Sequence, residues 1–227
     1  MTVTPTGLTR AAGISAAVAG LIFIGVQINH PAMDVSSVTT TEWVVRQTAK
    51  TVMAVAALAG ITGMYLRQVR QMGILGLVGY LVFAFGYLVM FGVEFAGGYV
   101  LPALAHTAPG YVNDVLAAGM GETVTGNIGA MQTAFSLMGV GYLAGGVLFG
   151  LALFRAGILA RWASALLVLG TLATLALKVL PQSFDRPFAV PTGVALIGLG
   201  ISLWRDQRTT AVTTSDLAPA RAGAAAR

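Results

Sequence analysis

The chain has 227 residues, of which 56% are hydrophobic and only 9% charged, with a mean hydropathy of +0.82. Soluble domains carry about 25% charged residues, so this composition cannot clothe a water-facing surface and excludes a soluble globular fold. The net charge of +5 does not point to nucleic acid, because the basic residues form no patch with aromatic partners, and the lack of cysteine excludes disulfides, thiolate metal sites and cysteine nucleophiles.

A helix of about 20 mostly apolar residues crosses a bilayer. Six such runs follow one another: residues 10–29, 44–66, 73–98, 127–154, 162–180 and 188–204. They predict an all-α, polytopic membrane helix bundle of about six transmembrane helices within residues 1–208. The first run ends at Asn29-His30-Pro31, the second at Arg67, the fourth at Arg155 and the fifth at Pro181. Residues 10–29 are read as a retained span rather than a signal peptide, since no small-residue cleavage site follows. Residues 209–227 have no periodic apolar face and are expected to be a disordered cytoplasmic tail.

Lysine and arginine in short flanks set orientation. Arg10, Arg67, Arg70, Arg155, Arg161, Arg205, Arg208, Arg221 and Arg227 fall on one side; Arg46, Lys50, Lys178 and Arg186 fall on the other. The arginine-rich side is expected to be cytoplasmic, giving a multi-pass protein of the cell membrane with both termini inside. Gly139, Gly141, Gly145, Gly146 and Gly150 stud the fourth run. Small residues at such spacing let helices approach closely, within one bundle or across a homodimer face.

An ionisable side chain inside a span needs a reason. Glu94 lies near the outer end of the third run, among Tyr87, Phe91, Phe95 and Tyr99. It is expected either to line a cavity or to pair at the interface with Arg46 or Lys50. Glu42, Arg46 and Lys50 are i,i+4 neighbours that predict one polar stripe with Trp43 and Gln47 beside it, facing the bundle interior or lying at the interface. His30 and Asp34 are read as an acid/base pair or a solvated loop, and Asp185-Arg186 as a local ion pair. The long outer segment 99–126, with His106, Asp114 and Glu122, is expected to form a lid or re-entrant helix. The two histidines are too few and too far apart for a metal cage, and no nucleotide fingerprint, hydrolase elbow or paired-aspartate diphosphate motif is present. No metal and no cofactor is expected.

The stretches Leu66-Arg67-Gln68-Val69-Arg70, Glu94 through Leu104, and Val194-Ala195-Leu196-Ile197-Gly198-Leu199 resemble in texture a group of small multipass actinobacterial membrane proteins. More loosely, the chain is similar to the membrane-embedded terpene cyclases of indole-terpenoid pathways, of the drimentine and xiamycin type. That resemblance implies protonation of an alkene or epoxide on a prenylated aromatic substrate, and it carries over no catalytic residue. Such chemistry needs a neutral carboxylic acid, aromatic faces and a dry cavity. Glu94 is the candidate acid, with Asp34 or Asp114 as relay. Trp43, Arg46, Lys50, Tyr87, Phe91, Phe95 and Tyr99 are the candidate substrate-binding residues, although a nearby cation opposes a neutral acid. A proton-coupled carrier using Glu94 with Lys50 or Arg46, and a non-catalytic membrane subunit, are the competing classes. All three imply the lipid bilayer as partner; the cyclase adds a hydrophobic small-molecule substrate.

Overall fold

The computed structural model describes residues 2–176 and 187–224, with side chains as far as residue 206. Among them are eight helices and no strand: α1 (Pro5–Gly25), α2 (Val35–Val38), α3 (Thr41–Tyr99), α4 (Leu101–Leu104), α5 (Pro109–Gly119), α6 (Ala130–Ala156), α7 (Arg161–Ala173) and α8 (Ala189–Ala224). Local signals set their ends. Thr4 accepts the Gly7 N–H at 3.1 Å ahead of Pro5, and Thr40 accepts the Trp43 N–H at 3.2 Å. Gly157 closes α6 in the left-handed conformation, with φ 67°.

Gly73 breaks α3, at φ 57° and ψ −156°, a region that is essentially glycine's alone. The chain reverses there. Tyr65 and Tyr80 stack with centroids 4.6 Å apart, and the Thr62 and Tyr80 hydroxyls meet at 3.1 Å. Much further apart in sequence, the Thr48 and Tyr99 hydroxyls meet at 2.7 Å, and Trp43 Nε1 donates to the Gly97 carbonyl at 2.9 Å. These nested contacts make α3 an antiparallel hairpin of two arms, residues 41–72 and 74–99, which are the second and third runs expected from the sequence.

The helices α1, α3 and α6 are each long and apolar enough to cross a membrane, and the chain is a membrane protein with a helical bundle fold. The fifth run departs from expectation. Its helix, α7, has 13 residues, about 20 Å at 1.5 Å per residue, against a hydrocarbon core of about 30 Å. It ends where Thr171 and Thr174 turn their hydroxyls onto backbone carbonyls three and four residues back, competing with the helix ladder. Residues 177–180 of that run, with Lys178, Asp185 and Arg186, lie outside the described residues. The bounds of α8 take in residues 209–224, which the sequence reading assigned to the tail.

Glycine sets the packing of neighbouring helices. A Cβ on Gly86 would lie 2.7 Å from the Gly141 carbonyl carbon, joining the second arm of α3 to α6. Gly60 meets Ala16 of α1, Gly13 meets the Gly200 backbone of α8, Gly150 meets Val168 of α7 and Gly170 meets Thr192 of α8. The order α1, first arm, second arm, α6, α7, α8 thus closes on itself. Its centre holds Phe83, Tyr87, Tyr142 and Phe149, with Phe23 stacked on Tyr142 at 6.4 Å and the Tyr142 hydroxyl donating to Thr192 Oγ1 at 2.9 Å. Gly141, Gly145, Gly146 and Gly150 all meet neighbours inside the chain; Gly139 does not.

The two ends of the bundle differ. At one, Arg67 and Asp206 pair at 2.6 Å beside the Gly73 turn, and the α6–α7 turn is tied to α8 by the Ala160 N–H on Ser202 Oγ at 3.0 Å. Arg155, Arg161 and Arg205 gather at this end. At the other, α2, α4 and α5 fold into a cap with its own core of Val38, Trp43, Leu101, Val112, Val115, Leu116 and Ile128.

Candidate functional site

The residues Trp43, Gln47 and Lys50 recur at three- and four-residue intervals, so they fall on one face of the first arm of α3. Glu94, Gly97 and Leu101 do the same on the facing side. Between these stripes, under α5 and against the start of α6, lies a cavity of about 1010 Å³. Its walls are mostly apolar, with Leu116, Phe135 and Leu143 among them, and four methionines, Met33, Met120, Met131 and Met138, that adapt readily to shape. Val140 and Leu175 stand at its edge and are 64% and 46% exposed on the flank of the bundle.

The charged groups meet on one wall, and the Ser136 and Thr174 hydroxyls also line the cavity. Lys50 Nζ lies 3.5 Å from Glu94 Oε2, with the two side chains 13% and 17% exposed. Among the described residues lining the cavity, these two are the only charged ones. Gln47, one turn before Lys50, is 5% exposed, and its Oε1 is buried with no donor from the protein. Trp43 closes the rim through its bond to Gly97.

Three candidates from the sequence therefore meet here: Glu94, Lys50 and Trp43. The rest go elsewhere, for identifiable reasons. Arg46 turns away from the stripe and caps the C-terminal end of α1, donating to the carbonyls of Val26, Ile28 and Asn29 at 3.1, 2.8 and 2.9 Å. Its remaining donors hold Glu42 Oε1 at 2.8 and 3.0 Å. Four residues advance a helix by 400°, so Arg46 is offset about 40° from both Glu42 and Lys50, enough for its long side chain to reach α1 instead of the cavity.

Asp34 is the N-cap of α2 and not a relay. Its Oδ1 accepts from Ser36 Oγ at 2.6 Å and from the Ser37 N–H at 2.8 Å. These donors, the Ser36 hydroxyl foremost, hold its carboxyl below the ordinary value of 3.8, so it stays an anion. Asp114 accepts from the hydroxyl and N–H of Thr125 at 3.0 and 3.3 Å, clipping the loop after α5. His30 meets the Pro31 carbonyl through Nδ1 at 2.8 Å and sets its ring edge to Trp43.

The expected aromatic cage does not form around Glu94. Tyr87 is buried in the bundle centre, edge to Phe83 at 4.9 Å. Phe91, Phe95 and Tyr99 make a ladder at four-residue spacing, with Phe95 and Tyr99 half-exposed on the outer surface of the hairpin. The cavity's aromatic faces are Trp43 and Phe135. Gln47 was legible on the polar stripe beside Trp43, but neither it nor Phe135 was expected at the site; Phe135 has no feature that separates it from the other aromatic residues of the apolar runs. Comparison with protein-family models, curated proteins and solved structures returned no match.

Proposed function

We propose that this protein crosses the membrane six times with both termini cytoplasmic, the short α7 being the helical part of the fifth crossing, and that it binds a hydrophobic small molecule from the outer half of the bilayer. The observation that carries this reading is a large, mostly apolar cavity whose charged groups, Lys50 and Glu94, stand together on one wall. Ligand sites have this composition. Buried ionisable groups inside a membrane protein mark functional pathways. The exposed apolar edge at Val140 and Leu175 supports access from lipid. Among the classes considered from sequence, a carrier fits best, because its titrating carboxylate and cationic partner are the pair present.

Trp43 reports on the cavity. In a chain retaining only this tryptophan (Trp162→Phe, Trp204→Phe), a brominated amphiphile is expected to quench its fluorescence saturably. Gly139→Phe should abolish that saturable component, since a Cβ there meets nothing within 4 Å and its ring would fill the cavity. Quenching that rises linearly and ignores the Gly139 substitution would sink the reading. For topology, the cysteine-free chain allows single labels: Ser36→Cys should react in intact cells and Gln71→Cys only after permeabilisation.

The second reading is proton-initiated cyclisation of a prenylated substrate, with Glu94 as the acid. A carboxyl group facing an apolar cavity supports it; the neighbouring ammonium and the scarcity of aromatic faces oppose it. Membranes given a linear farnesylated indole in D₂O would yield a rearranged isomer carrying one deuterium, lost with Glu94→Gln. Unchanged substrate with folded protein removes this reading and leaves the binding one.

A further inference from the structure

The charges of the cavity wall cancel. Lys50 and Glu94 face each other at 3.5 Å, and no other described residue lining the cavity is charged. A ligand head bearing net charge would match one partner and oppose the other, leaving an uncompensated charge in a poorly solvated site. A head without net charge avoids this and can still hydrogen-bond to both. The hydrogen-bonding inventory narrows the head further. The Glu94 carboxylate is an acceptor on the lining, and so are the Ser136 and Thr174 hydroxyls, whose own hydrogens go to the Gln132 and Thr171 carbonyls. A head that brings hydrogen-bond donors satisfies these oxygens, whereas one with acceptors alone leaves them without a donor.

We infer that the cavity selects uncharged amphiphiles whose head carries hydroxyl or amide hydrogens, with the Lys50–Glu94 pair reading the head and the methionine-lined walls accepting the chain. This inference rests on the binding reading above and adds the class of ligand. Its occupant is a neutral alcohol-, diol- or amide-headed lipid, in contrast to a fatty acid, a lipid phosphate or a cationic amphiphile.

The test uses the full-length Trp43-only chain in nanodiscs and four probes sharing one 9,10-dibromostearoyl or stearyl chain: the monoacylglycerol, the methyl ester, the free carboxylate and the primary amine. Saturable quenching, corrected by the Gly139→Phe background, is read for each. The monoacylglycerol is expected to bind at least tenfold more tightly than the other three. Glu94→Gln should raise affinity for the carboxylate, and Lys50→Met for the amine. Carboxylate or amine binding as tight as the monoacylglycerol in the wild-type chain would overturn the charge argument, and methyl ester binding as tight would overturn the donor argument. These outcomes leave the binding reading standing. Absence of saturable quenching by all four probes would remove that reading and the selectivity with it.

Discussion

Trp43 donates its indole N–H to the carbonyl of Gly97, 2.9 Å away and 54 residues further along the chain. The bond joins the open ends of the α3 hairpin where the cap meets the cavity. Gly97 permits it: a Cβ there would collide with Gln47 Nε2, pushing the two arms apart at that level. One contact therefore sets the arm spacing, the cavity rim and the position of Gln47.

Removing that donor should be felt throughout the rim. Trp43→Phe keeps most of the ring burial and leaves the Gly97 carbonyl unpaired, at a cost of about 1–3 kcal/mol. Reversible unfolding in mixed micelles would register it. Thr48→Ala, which loses the outer Tyr99 contact, should shift the same transition much less.

The glycine crossings give a second expectation. At Gly86 the neighbours of an added Cβ are backbone atoms of Gly141 and Tyr142, both at 2.7 Å, which cannot swing aside. Gly86→Ala should therefore destabilise by about 1–3 kcal/mol, the usual cost of overpacking. Gly92→Ala, six residues along the same arm, meets nothing within 4 Å and should gain up to about 1 kcal/mol of helix propensity. Equal effects at the two sites would contradict the assigned crossing.

Arg46 makes a third. Its fork satisfies three carbonyls at the end of α1, and a lysine offers a single ammonium in place of that geometry. Arg46→Lys is expected to cost about 1–3 kcal/mol through the unsatisfied carbonyls. Glu42→Gln should cost no more than about 1 kcal/mol, because the Glu42 side chain is largely exposed and surface ion pairs contribute little. The two unfolding transitions, compared at one ionic strength, check this.

Asp34 provides a pH dependence of defined sign. Its folded carboxyl titrates below its ordinary value of 3.8. The capping contribution is thus present above that value and is lost as pH falls through the lower, folded one. Protease resistance of the α2 segment should be higher in the wild type than in Asp34→Ala at pH 6. The difference should narrow as the pH is taken below 3.8. A gap that widens on acidification would mean the carboxylate is not the cap.

The long elements were legible because runs of apolar residues and their arginine flanks are written locally. Glu94 and Lys50 were also legible, since charge inside an apolar run stands out whatever the fold. Arg46 was not, because its partners are carbonyls of residues 26–29, in the turn that follows α1, and no spacing within α3 reveals them. The same holds for Tyr87, Phe91, Phe95 and Tyr99, whose apolar character suits core, lipid and cavity alike. Asp34 was within reach: Asp followed by Val-Ser-Ser is an N-cap pattern, a nearer signal than the histidine four residues before it. Gln47 was legible beside the polar stripe, but its burial was not, because that depends on the Gly97 face of the opposite arm.

The cap of α2, α4 and α5 has an apolar nucleus separate from that of the bundle, resting on Trp43 of α3 and on Met131 and Phe135 at the start of α6. Two nuclei of unequal size give two levels of cooperativity, and the smaller is free to open while the larger stays shut. Amides of α5 should then exchange with solvent deuterium sooner than those of α6, at a rate set by the cap's own stability. Hydrogen exchange across the cap would in that case report ligand occupancy beneath it, because a bound amphiphile joins the two nuclei and slows the smaller one to the pace of the larger.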